Sequence, residues 1–199
     1  MGAESRLILK AGTRETRMFQ IARSRHWSLY DVGNSKADVY LHTWHACDGN
    51  VVIRYIEDPL TGLNFITLRG DTAGEVSRDI TSLCPTWTYA EALGALQGAT
   101  ARDDRLTTAY AAALTAPPEQ DPMLVEAFRA MAADPDQGIR QAVVVATGYC
   151  PWPALVEIVR RLRDTDPVEH VRENARLLWD GLALPIDAAL GLEDPGNRS

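Results

Sequence analysis

The chain has 199 residues, of which 46% are hydrophobic and 24% charged, and its formal net charge is −7. That length and balance exclude a disulfide-stapled miniprotein and a disordered polyelectrolyte, and they allow one domain or two small ones with a real core. The acidic excess excludes a phosphate backbone as the default partner.

The charge is uneven. From residue 100 onward there are ten arginines, no lysine and sixteen acidic residues, a net of −6. Residues 1 to 30 carry Arg6, Lys10, Arg14, Arg17, Arg23 and Arg25 against Glu4 and Glu15, a net of +4. The three cysteines, Cys47, Cys84 and Cys150, have no framework spacing and point to a reducing compartment. The apolar run in "MGAESRLILK" is too short for a signal peptide, and Arg6 stands where a myristoylation signal needs a hydroxyl. No apolar run spans a bilayer, and the "EDPGNRS" terminus carries no prenylation signal. A soluble cytoplasmic protein is expected.

In chain order, "RMFQIA" and "HWSLYDV" read as strands. "DVYLHTWHACDGNVVIRYIEDPLTGLNFITLRGD" then reads as a three-stranded meander. Asp48-Gly49 is a hairpin signal, and Pro59 to Gly62 supply a second turn. These loops set a register in which Trp44 faces Ile53, His42 faces Tyr55, Thr43 faces Arg54 and His45 faces Val52. Across the second loop Tyr55 faces Ile66, Ile53 faces Leu68, Arg54 faces Thr67 and Val52 faces Arg69. One face then holds Tyr40, His42, Trp44, Ile53, Tyr55, Ile66 and Leu68 and is the candidate core. The other holds Thr43, His45, Arg54, Thr67 and Arg69, with Leu41, Ile56 and Phe65 at one end, and is expected to be partly wetted. "TAGEVSRDITSL" predicts a covering helix with a capping box of Thr72 and Glu75.

The rest of the chain reads as helices. "TYAEALGALQG" has a capping box at Thr88 and Glu91, and "TARDDRLTTAYAAAL" follows it, ended by Pro117 and Pro118. Asp121 before Pro122 starts a helix with a stripe of Leu124, Val125, Phe128 and Met131. "DPDQGIRQAVVVATG" and "DPVEHVRENARLLWDG" begin 32 positions apart, each with Asp-Pro, three residues, a β-branched residue and Arg. Asp134 and Asp166 read as their caps, with Glu169 completing a box, and Gly148 and Gly181 as stops. "PWPALVEIVRRLRD" precedes the second copy, so the unit is a helix pair repeated at a period of 32. Boundaries near 122–133, 135–148, 152–163 and 167–181 follow.

The segments "DPDQGIRQA" and "DPVEHVRENA" resemble the second helix of HEAT repeats, over roughly residues 121 to 182. The resemblance implies stacked helical pairs, with Asp134, Arg140, Asp166 and Arg172 stitching turns and neighbouring repeats together. The register slips by one: Ala142 lies eight after Asp134, whereas Ala175 lies nine after Asp166.

Three chemistries come into question. His42, His45 and Cys47 are metal-ligand types, but positions 42 and 45 point to opposite sides of a strand, so no metal site is expected and His42 reads as a core histidine. A cysteine nucleophile needs a histidine base, and His45 and Cys47 share a face without any family signature. No phosphate loop, dinucleotide fingerprint or nucleophile elbow is present, and no cofactor is expected. Arg160, Arg161 and Arg163 read as a solvated helix face, and His170 and Trp179 as surface and packing.

The whole predicts an α+β chain, with an antiparallel meander and covering helix over 1–84 and a HEAT-like array over 85–199. The leading expectation is a non-catalytic protein-binding module, of the inhibitor or antitoxin kind, for a basic protein. The alternatives are an enzyme or anion-binding protein using Thr43, His45, Arg54, Thr67 and Arg69, with His45 as acid or base, and a HEAT-like nucleic-acid binder.

Overall fold

The computed structural model of the chain describes residues 5–34, 40–47 and 49–182. The architecture is α+β, and the chain divides into two compact units, Met1–Pro117 and Pro118–Ser199. The division falls later than the expected boundary at residue 84, so the helices of residues 89–115 belong with the sheet.

In the first unit, β1 (Ser5–Leu9), β2 (Ser28–Asn34), β3 (Tyr40–Ala46), β4 (Val51–Glu57), β5 (Asn64–Arg69) and β6 (Thr86–Trp87) form one antiparallel sheet. Its order is β2-β3-β4-β5-β1-β6. The meander has the register read from its loops: Trp44 opposite Ile53, Thr43 opposite Arg54, Ile53 opposite Leu68 and Arg54 opposite Thr67. Asp48 itself lies outside the described residues. Asp58 builds the second loop. Its carboxylate accepts the Leu60 N–H at 2.9 Å and the Thr61 hydroxyl at 3.0 Å, and Gly62 takes a φ of 68°. Gly70 is fixed by close approach, because a Cβ there would sit 2.1 Å from the Asn50 carbonyl oxygen.

One face of the sheet carries Trp44, Ile53, Tyr55, Ile66 and Leu68, all buried, under α1 (Glu15–Ser24) and α2 (Ala73–Leu83). Burying each such side chain stabilises the fold by about 1.5–3 kcal/mol. The Tyr40 side chain, expected on this face, lies outside the described residues. The strand expected at "RMFQIA" is helix α1. Its buried Met18, Ile21 and Ala22 stand at helical rather than alternate spacing. Strand β1 went unread because Ile8 and Leu9 are both buried, which erases alternation. The second face is covered beside β1 by α4 (Arg102–Thr115), which follows α3 (Tyr89–Gly98). Thr88 and Glu91 form the expected capping box, with Lys10 adding a 3.0 Å ion pair to Glu91. Thr72 precedes α2 without a side-chain cap bond, so that expected box does not form.

The second unit holds α5 (Pro122–Ala132), α6 (Gln137–Tyr149), α7 (Pro153–Thr165) and α8 (Glu169–Leu182). α5 packs on α6 and α7 on α8, while α5 meets α7 and α6 meets α8, so two pairs stack in the same sense. The repeated phrase has a repeated geometry. The carboxylate of Asp134 accepts the Asp136 N–H at 2.8 Å, and that of Asp166 accepts the Val168 N–H at 2.9 Å. Six residues on, Arg140 Nη1 donates to the Asp134 carbonyl at 2.9 Å, and Arg172 Nη1 to the Asp166 carbonyl at 2.6 Å. Between the copies, Arg140 Nε and Nη2 donate to the two oxygens of Asp166 at 2.7 and 3.0 Å.

Three local expectations are corrected. The N-cap of α6 is Asp136, not Asp134, because Asp134 closes the turn ahead of the helix. Helix α8 begins at Glu169, so Asp166 and Glu169 do not form a capping box. Neither Gly148 nor Gly181 stops its helix; Gly148 instead leaves room for Leu178, whose Cδ1 would lie 3.3 Å from a Cβ. Thirty-two residues on from Gln141, Val144 and Gly148, α8 carries Glu173, Arg176 and Asp180. These are exposed and ion-paired, a polar face that suits the outermost helix of the described stack.

Burial alone would raise the Asp166 carboxyl, but its bonds from Arg140 and the Val168 N–H hold it below its ordinary range. Arg140 and Asp166 are 6% and 4% exposed. Asp166→Ala therefore strands a buried guanidinium and is expected to cost about 3–5 kcal/mol, against about 1 kcal/mol for the loss of a simple cap. Arg140→Met with Asp166→Leu is expected to recover most of that loss; urea denaturation of the three variants measures it. A depressed carboxyl stabilises above its unfolded value and loses that contribution as the pH falls through the folded one. The stability gap between wild type and Asp166→Asn is thus expected to be full above about pH 4 and to shrink below it.

Candidate functional site: an arginine-bearing sheet face

Strand alternation places two rows of side chains on the second face. Along the first, Arg6, Thr67, Arg54, Thr43 and Asp31 stand opposite one another across β1, β5, β4, β3 and β2. Along the second, Arg69, Val52, His45 and Ser28 do the same across β5, β4, β3 and β2. The five residues singled out from the sequence are therefore neighbours on one side, as the loop-set register required. Adjacent strands lie about 4.8 Å apart, so Arg54 stands within one strand and two residues of Arg69.

Their exposure is not uniform. Arg69 and Arg6 are exposed, and Arg54 and His45 are half-buried. Thr43 and Thr67, expected to be wetted, are each 7% exposed. They are short side chains set between long ones on a pleated surface, and they form a floor. Among the described residues neither Arg54 nor Arg69 has an ion pair or a side-chain hydrogen bond. Arg6 lies over the Phe65 ring, 5.5 Å from its centroid.

Two residues of this face were missed in the sequence. Arg6 was missed because β1 was. Tyr30 sits at a bulge between Leu29 and Asp31, which breaks the alternation from which its direction would be read. Its ring stacks on His45 at 4.6 Å and 8°, and it is 71% exposed. The face thus joins three guanidinium groups, two buried hydroxyls and an exposed pair of stacked rings. A guanidinium offers a planar fork of N–H donors that fits carboxylate and phosphate oxygens.

The opposite, core side holds His42. Its Nε2 lies 3.0 Å from Glu15 Oε1, and its ring meets Phe19 edge-on at 5.1 Å. The Tyr55 hydroxyl donates to Glu57 at 2.8 Å, and burial pushes its pKa well above the ordinary tyrosine value. His42 and His45 do lie on opposite faces, and Cys47 sits in the hairpin turn with φ 53°. Among the described residues no three His, Cys, Asp or Glu are grouped to hold a metal ion. Burial raises the thiols of Cys84 and Cys150, the latter to about 11, which opposes thiolate chemistry at neutral pH.

In the helical unit the acidic side chains are largely paired. Glu157 bonds Arg160 and Arg161, Glu173 bonds Arg176, Asp164 bonds Arg163, and Glu126 pairs with Arg129. The Arg160 bond, with help from Arg161, lowers the Glu157 carboxyl to about 2. Arg163 also lies 4.7 Å over the Trp179 ring.

No family model, no curated protein and no solved structure matches this chain.

Cys47 is exposed, whereas Cys84 and Cys150 are buried. Iodoacetamide at pH 8 is expected to label Cys47 in the native protein and all three thiols in urea, which peptide mass spectrometry reads directly.

Proposed function

We propose that this chain is a non-catalytic binding module, and that its sheet face holds an anionic group of a partner protein. The observation that carries the proposal is the group of guanidiniums on one face: among the described residues Arg54 and Arg69 have no carboxylate partner, and buried Thr43 and Thr67 flank Arg54 on the two neighbouring strands. A cation without an internal partner keeps its full attraction for an incoming anion. Tyr30 on His45 supplies a flat apolar margin beside the charge. The helical pairs of the second unit are read as HEAT-like, on their 32-residue period and on the Arg140–Asp166 bond that joins the copies.

The acidic helical half offers a basic partner less unpaired charge than its composition implies. Glu126, Glu157 and Glu173 are drawn into pairs with arginines three or four residues away, and a paired carboxylate offers little field beyond about 8 Å at physiological salt. The three cysteines are all unpaired, which supports a cytoplasmic setting. No described helix is long and apolar enough to cross a membrane.

Arg54→Ala with Arg69→Ala tests the site. Both side chains project from a strand face without a partner among the described residues, so the fold is expected to survive, as circular dichroism and the melting temperature report. Binding to the partner captured from a lysate of the source organism is expected to weaken about tenfold or more, which is about 1.4 kcal/mol. Undiminished binding by the double variant, together with loss on reversing Glu157 and Glu173 to lysine, moves the site to the helical surface.

A further inference from the structure

We propose that β2 is a self-association edge, at which a second copy of this chain adds its own β2 antiparallel and joins the two sheets into one. Six large hydrophobic residues are exposed among those described, and three of them, Leu29, Tyr30 and Val32, stand on this one strand. Among the described residues β2 is also the long open edge of the sheet. The opposite edge, β6, has two residues, whereas β2 has seven. An edge strand presents a row of unpaired N–H and C=O groups, and proteins usually blunt it with charge, proline, shortness or a bulge; of these β2 has one charge and one bulge, and the bulge is what matches the strand to a second copy. β2, "SLYDVGN", has no lysine or proline, and Asp31 is its single charge.

The strand is complementary to itself in one register. Leu29 is opposite Trp44 and Val32 opposite His42, so both point to the α1 side of the sheet. The bulge sends Tyr30 and Asp31 together to the other side, Tyr30 onto His45 and Asp31 beside Thr43. A two-fold axis between residues 30 and 31 then sets Leu29 against Val32 of the second copy on one face. On the other it sets Tyr30 against Asp31 of the second copy. Apolar meets apolar twice, and the two Asp31 carboxylates are not opposed, since like charges directly across a pair destabilise it. Each residue that contacts another is contacted by it in return, as a closed two-fold interface requires. Without the bulge, positions 29 and 32 would lie on opposite faces, and this match would vanish.

A single edge of seven residues falls at or below the smaller end of stable interfaces, so the dimer is expected to be weak. Sedimentation equilibrium of the full chain from about 5 to 500 µM covers the range such an interface occupies. Wild type is expected to shift from monomer to dimer across it. Val32→Lys, at an exposed position, is expected to raise the dissociation constant at least about tenfold, since each copy then sets a charge against Leu29. Met123→Lys, at an exposed position in the second unit, is expected to leave it unchanged. Hydrogen exchange at high protein concentration is expected to slow at the amides of residues 28–34. A wild type that stays monomeric, a dimer that Val32→Lys leaves intact, or a dimer without added protection at β2 would each overturn the proposal.

Discussion

The first unit depends on the register of β3, β4 and β5. Side chains alternate with a period of two, so a slip of one residue in any of these strands would exchange its two faces. His42, Trp44, Ile53 and Tyr55 would move out of the core, and Thr43, His45 and Arg54 would move in. Apolar burial on one side and charge solvation on the other both select the observed pairing. The loops select it independently, through Gly49 at φ 91° and the Asp58 bonds that close the turn before Leu63. The candidate site is a consequence of that constraint, since the same pairing that assembles the core also gathers the arginines.

The helical unit is organised differently. Its repeated element is an aspartate that closes a turn with its side chain and an arginine, six residues on, that returns to the aspartate's carbonyl. Arg140 makes the same return and then reaches the next copy's Asp166 through a buried, two-bond ion pair. A buried pair adds less net stability than its geometry implies, because desolvation offsets much of the attraction. Its contribution is better seen as alignment: the fork and the carboxylate fit in one orientation, which fixes how one helix pair sits on the other.

Charge has to be read locally. The chain's −7 is an average over residues with unlike neighbours. Glu157 of α7 and Glu173 of α8 are paired with arginines within a turn, whereas among the described residues Arg54 and Arg69 have no ion pair. Net charge governs solubility and long-range steering; the unpaired groups govern what binds at short range. Here the two have opposite signs, so composition alone gives a misleading account of the surface.

The meander, its register, the five residues of the arginine face and the limits of the last four helices, to within a few residues, are legible in the sequence alone. These rest on local rules: alternation, turn chemistry, helix starts and a 32-residue repeat. The sequence did not reveal that residues 15–24 are a helix, that Ser5–Leu9 is a strand inserted beside β5, or that Tyr30 belongs to the site. It also misplaced the cap of α6 and left the partner of Arg140 unknown. Each of these depends on contacts between distant parts of the chain. Ile8 and Leu9 lose alternation because helices cover both sides of the sheet there, and Tyr30 turns toward His45 only through a bulge against β3. Asp166, 26 residues from Arg140, becomes its partner only when one helix pair stacks on the next. Spacing fixes which face of an element is apolar, but only tertiary packing decides what that face meets.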